Sequence, residues 1–108
     1  MSIRNSATLR DLASTVRSKN AGVDHITFDI IFSNRASFER VRDAKVITPE
    51  VVCGLLRIQP DRITDFVVFD PANAIKFTIR RERPSGSPGE RDVFGSQQYA
   101  PLLDLHVP

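Results

Sequence analysis

Between Val23 and Phe32 apolar and polar positions alternate, with Ile26, Phe28, Ile30 and Phe32 set against His25, Thr27, Asp29 and Ile31. A period of two puts successive side chains on opposite faces of a strand. The segment therefore predicts a β-strand with one face in the core and a partly polar second face. Ala74 to Arg80 repeats the pattern, with Ile75, Phe77 and Ile79 on one side and Lys76, Thr78 and Arg80 on the other. Ile63 to Phe69 is almost continuously apolar, which reads as a strand buried on both faces. Asp70-Pro71-Ala72-Asn73 is a turn by residue type, so these last two strands predict a hairpin.

Other segments carry the helical period. Leu9, Leu12, Ala13 and Val16 fall at i, i+3, i+4 and i+7, and Thr8 with Asp11 has capping-box spacing. This predicts a helix over Thr8 to Ser18, ended by Asn20-Ala21-Gly22, where Gly22 suits a left-handed backbone. The β-branched Thr15 and Val16 leave an edge strand as the alternative. Asn34 caps a helix over Arg35 to Ala44 that turns Phe38 and Val41 inward. Thr48-Pro49-Glu50 starts another helix with Val51, Val52, Leu55 and Leu56 as its apolar stripe, closed by Gln59-Pro60-Asp61. Residues 81–95, with two Pro and three Gly, form a loop long enough to suggest function or disorder. Ser96 to Leu103 reads as a short helix and Leu105 to Val107 as a final strand or docked tail. The sum is one α+β domain over 8–108 with a loose tail at 1–7. Its sheet is antiparallel with helices on one face, and Ile26, Phe28, Ile30, Phe66, Val68, Phe77 and Ile79 share the core.

Composition narrows the class. The chain has 108 residues, 41% hydrophobic and 26% charged, as in an ordinary globular domain. It holds no apolar run of membrane-spanning length, and its first residues lack a signal-peptide core, so a cytoplasmic location is expected. One cysteine, Cys53, excludes an internal disulfide and a cysteine zinc site, and it reads as a buried core thiol. Fifteen basic residues against thirteen acidic ones give +2. Twelve of the fifteen are Arg, whose planar fork suits carboxylates and phosphates. A net charge this small, with acids scattered through the chain, gives no basic stripe for nucleic acid.

Two segments and one acid carry candidate chemistry. Arg17, Ser18, Lys19 and Asn20 precede Gly22 and together suit an anion cradle, although the cations also fit the end of a helix. The long loop brings Arg83, Ser85 and Arg91 near Arg80, either to close over an anion or as a charged hairpin tip. A carboxylate or phosphate would then lie between Arg17, Lys19 and Asn20 on one side and Arg80 or residues 83–92 on the other. Asp29 lies on a polar strand face within reach of Lys76, Thr78 or Arg80. It is either a structural ion-pair partner or a candidate general base. The residues leave open whether the chain is an enzyme. No cofactor or metal motif is present: GxGxxG, a Walker loop, GxSxG and HExxH are all missing. A small sheet with a free edge, together with the apolar C-terminal residues Leu102, Leu103, Leu105 and Val107, predicts a homo- or hetero-oligomer.

Taken together, several motifs resemble a family of small bacterial proteins of unknown function, often encoded beside or fused to AtuA-like (acyclic terpene utilisation) proteins. They are Leu9-Arg10-Asp11-Leu12-Ala13, Arg17-Ser18-Lys19-Asn20-Ala21-Gly22, Thr27-Phe28-Asp29-Ile30-Ile31-Phe32, Phe69-Asp70-Pro71-Ala72, Arg83-Pro84-Ser85-Gly86-Ser87, Arg91-Asp92-Val93 and Pro101-Leu102-Leu103-Asp104. The order of elements also resembles the ferredoxin-like C-terminal domain of AtuA-type proteins. In that domain a Ser-Gly-Asp-Lys-Gly loop stands where this chain has Ser18-Lys19-Asn20-Ala21-Gly22. The resemblance implies an AtuA-like partner and an accessory role in the metabolism of small acids or acyl-thioesters. The residues alone imply a different alternative, a stand-alone enzyme or binding module for a carboxylate or phosphate.

Overall fold

The computed structural model describes residues 7–81 and 100–108. The chain opens with strand β1 (Ala7–Thr8), which pairs antiparallel with the last strand, β6 (His106–Val107). The expected tail at 1–7 lies outside the described residues except for Ala7, which is tied to Val107. A single helical turn follows, α1 (Leu9–Leu12). The Asp11 carboxylate accepts from the Thr8 N–H and the Thr8 hydroxyl, both at 3.0 Å. These bonds hold its carboxyl below the usual carboxylate range. Leu9 N–H donates to Leu105 C=O and Arg10 N–H to Leu103 C=O, so the C-terminal segment satisfies the first amides of this turn.

The helix expected over Thr8 to Ser18 stops there, and the edge-strand alternative takes the second half. Strand β2 (Thr15–Asn20) pairs residue by residue with β3 (His25–Ile31), from Thr15↔Ile31 to Asn20↔Ile26. An isolated helix of about three turns is marginal, whereas a full-length ladder satisfies every amide on one side of the strand. The periodicity of Leu9, Leu12 and Ala13 reflects one turn seated on the core. Between β2 and β3, Gly22 has φ +87°, as its residue type predicts.

Helices α2 (Arg35–Ala44) and α3 (Pro49–Leu56) have the expected bounds and caps. Asn34 accepts from Ser37 N–H at 2.7 Å and Thr48 from Val51 N–H at 3.2 Å. Strands β4 (Ile63–Phe69) and β5 (Ala74–Arg80) form the expected hairpin through a short 3-10 turn at Asp70–Ala72. Arg35 donates to Asp70 C=O and Asn73 Oδ1, and Arg42 lies 3.5 Å from the Asp70 carboxylate, pinning that turn to α2.

The main sheet runs β2-β3-β5-β4 and is antiparallel throughout, with a bulge in β4 between Ile63 and Asp65. Two hairpins thus lie side by side, with both longer helices in the connection between them. This bears out the α+β class. The connectivity differs from a ferredoxin-like domain, because β4 turns directly into β5 with no helix between them.

One face of the sheet forms the core. Ile26, Phe28, Ile30, Ile75, Phe77 and Ile79 are buried there with Phe38, Val41 and Val52 from the helices. Of the expected core residues on β4, Phe66 packs against the core from its rim and Val68 departs from it. Phe66 is only half-buried and Val68 is 42% exposed. β4 is an edge strand, so its apolar run reflects exposure at the rim instead of burial on both faces. Of the apolar C-terminal residues, Leu102 and Val107 are fully buried in their own domain and Leu105 packs against its core. The helix expected from Ser96 is seen only as a 3-10 turn at Ala100–Leu102, residues 96–99 lying outside the described ones. Among the described residues no helix is long and apolar enough to cross a membrane.

Candidate functional site

The segment from Arg17 to Asn20 is the interior of β2, not a loop at a helix end. Strand alternation therefore divides the expected cradle. Arg17 and Lys19 project from the outer face, while Ser18 and Asn20 project toward the core face. On the outer face three strands place Arg17, Asp29 and Lys76 in one row. The next row holds Lys19, Thr27, Thr78 and Asp65, and beyond it Arg80 stands opposite His25. Arg17, Lys19, Lys76 and Arg80 are exposed.

Asp29 is the centre of this face. Its side chain is only 4% exposed, with Arg17 Nε 3.0 Å from Oδ2 and Lys76 Nζ 3.7 Å from Oδ1. Arg17 donates a hydrogen bond; Lys76 lies beyond bonding range, and Oδ1 has no hydrogen-bond partner. The two cations are about half exposed, so solvent screens the pairs and their net stabilisation is small. A buried carboxylate needs compensating charge, and this one has it from both sides. Thr27 and Thr78 join hydroxyls at 3.2 Å in the adjoining row. The arrangement fixes two cations around one acid and leaves Lys19 and Arg80 projecting beyond it.

On the core face, Asn20 accepts from the guanidinium of Arg81, a buried cation that sequence reasoning passed over. Strand parity was the available signal, since Arg81 follows Arg80 and must point the other way. Ser18 sits in the row of Phe28 and Phe77, 4% exposed, and its hydroxyl has no hydrogen-bond partner. A buried, unpaired hydroxyl is costly, and its removal at constant shape is neutral or favourable. Ser18→Ala should leave stability unchanged or raise it by up to about 1 kcal/mol in urea unfolding. A loss of more than about 1 kcal/mol would show that the hydroxyl makes a bond the fold depends on.

Arg83, Ser85 and Arg91, with the rest of the long loop after Arg81, lie outside the described residues. Cys53 is buried on α3, and burial pushes its thiol pKa up, away from nucleophilic reactivity. Among the described residues no cluster of three or more His, Cys, Asp and Glu side chains is positioned to hold a metal.

No curated protein and no solved structure matches the chain. A family model does, over residues 9–106, from the first turn of α1 into β6. The match takes in both hairpins, both longer helices and the row of Arg17, Asp29 and Lys76. The chain accordingly belongs to the family described as a domain of unknown function (DUF4387).

Proposed function

We propose that this chain is an accessory subunit or companion domain of an AtuA-like metabolic enzyme acting on small acids or acyl-thioesters, to which it brings a cationic face for the substrate's anionic group. The supporting observation is the outer face of the main sheet. It carries Arg17, Lys19, Lys76 and Arg80 against two acids, Asp29 and Asp65. Asp29 neutralises part of the positive charge and holds Arg17 in place. Lys19, at the β2 end of the Thr27–Thr78 row, and Arg80, one row beyond it on β5, supply the cations for a carboxylate or phosphate. On this reading Asp29 is a positioning residue. Arg83, Ser85 and Arg91, which follow β5 in the sequence and lie outside the described residues, are the further anion-binding residues of this reading. The motif resemblance supports the partner.

The test is recovery of the tagged full chain from cells that make it natively, with mass spectrometry of what accompanies it. A stoichiometric AtuA-like protein is expected, and small carboxylates or phosphate should raise the melting temperature of that complex. A chain recovered alone, and stabilised by the same anions, would instead establish a stand-alone binding module. Recovery alone with no anion response would refute both readings.

A further inference from the structure

The flanking hydrogen bonds reveal which way the amides of β4 point. Arg81 N–H donates to Asp24 C=O and Phe32 N–H to Asn73 C=O, both continuing the β3–β5 register. In an antiparallel ladder the bonded pairs recur at every second residue. Ile75, Phe77 and Ile79 therefore turn their backbone groups to β3, and Ala74, Lys76 and Thr78 turn theirs to β4. Their partners Phe69, Val67 and Asp65 are bonded inward. Phe66 and Val68 are left with N–H and C=O directed out of the sheet, at an edge that no other described strand covers.

That edge is apolar on both faces. Val67 is 40% exposed, Val68 42% and Phe69 47%. Natural sheets blunt open edges with charges, proline or a covering element. Between Ile63 and Phe69 this strand has one charge, Asp65, and no proline.

We propose that β4 pairs with β4 of a second copy of the chain, antiparallel about a two-fold axis at Phe66. The charges at the ends of the strand select this partner and this register. Arg62 ends the 3-10 turn before the strand and Asp70 opens the one after it, so pairing centred on Phe66 brings the Arg62 end of each copy beside the Asp70 end of the other. The same register places Ile63 against Phe69 and Asp65 against Val67. A register centred on Asp65 would oppose two carboxylates, which is unfavourable. The bulge beside Thr64 twists one end of the edge and keeps the ladder short. The product is an eight-stranded sheet with the cationic outer faces of both copies on one side. This dimer is independent of the anion site and of any larger partner.

The test is sedimentation equilibrium of the full chain across the micromolar range, with amide exchange followed by NMR. A dimer is expected, with exchange at Phe66 and Val68 slowing as concentration rises. Val68→Pro removes an outward N–H and leaves the β4–β5 bonds in place. Val67→Asp sets a second carboxylate opposite Asp65 of the other copy and serves as the second variant. Each should weaken dimerisation roughly tenfold or more, because two-fold symmetry counts each change twice. A wild-type chain that remains monomeric would overturn the proposal. So would a dimer that survives both substitutions, or protection of these two amides without any dimer, which would assign the edge to another segment of the same chain.

Discussion

Phe77→Ala should cost about 3–5 kcal/mol, measured by urea unfolding, the range for deleting a buried aromatic ring. Phe77 is fully buried on β5, the strand that joins the two hairpins. Its ring stacks on Phe28 at 4.6 Å with 12° between planes, and on Phe66 at 5.9 Å with 15°. These three residues are directly opposite one another across β3, β5 and β4. Truncation leaves a cavity at the middle of that row, where rings on both sides are held by their own strands and collapse poorly. A small domain has only about 5–15 kcal/mol in total, so the variant should be largely unfolded at moderate denaturant. Phe66→Ala makes the control. Its ring is half-buried at the sheet edge, so its loss should be less than half as large. Equal losses would mean that the two hairpins are not joined through the Phe77 ring.

Strict alternation and side-chain caps made much of this fold legible in the sequence. Ile26, Phe28 and Ile30 announced β3, and Ile75, Phe77 and Ile79 announced β5, because each strand has one face in the core and the other toward polar surroundings. Asn34 and Thr48 marked the starts of α2 and α3 through local hydrogen bonds that need no tertiary context. β2 was harder to read. Leu9, Leu12 and Ala13 belong to one helical turn and Val16 to a strand, yet all four contact one core, so their spacing mimicked a longer helix. β4 misled for a different reason. An apolar run is the same whether covered on both faces or standing at an edge, and strand order, which decides between these, is not written locally.

The candidate site was legible in kind more than in arrangement. Asp29 was expected to have a cation across the sheet, and Lys76 is its partner in the register. What the sequence concealed was parity. With Arg17 to Asn20 in a strand, Ser18 and Asn20 turn to the core face, away from Arg17 and Lys19. The distinction between helix end and strand interior thus decides which side chains can share a ligand.

The most direct test of the proposed anion site is a titration of the folded chain with phosphate and with acetate, followed by amide and side-chain NMR shifts. The account predicts saturable shifts on the outer face, at Lys19, Thr27, Thr78 and Arg80. A charge-assisted hydrogen bond contributes about 1.5–3 kcal/mol. Screening at this exposed surface lowers that figure, so Lys19→Ala and Arg80→Ala should each weaken binding roughly tenfold. Arg17→Ala should have a smaller effect, since Asp29 already engages its guanidinium, and Ser18→Ala should have none. Shifts confined to the core-face neighbours of Ser18 and Asn20, or affinity unchanged by removal of both Lys19 and Arg80, would contradict it.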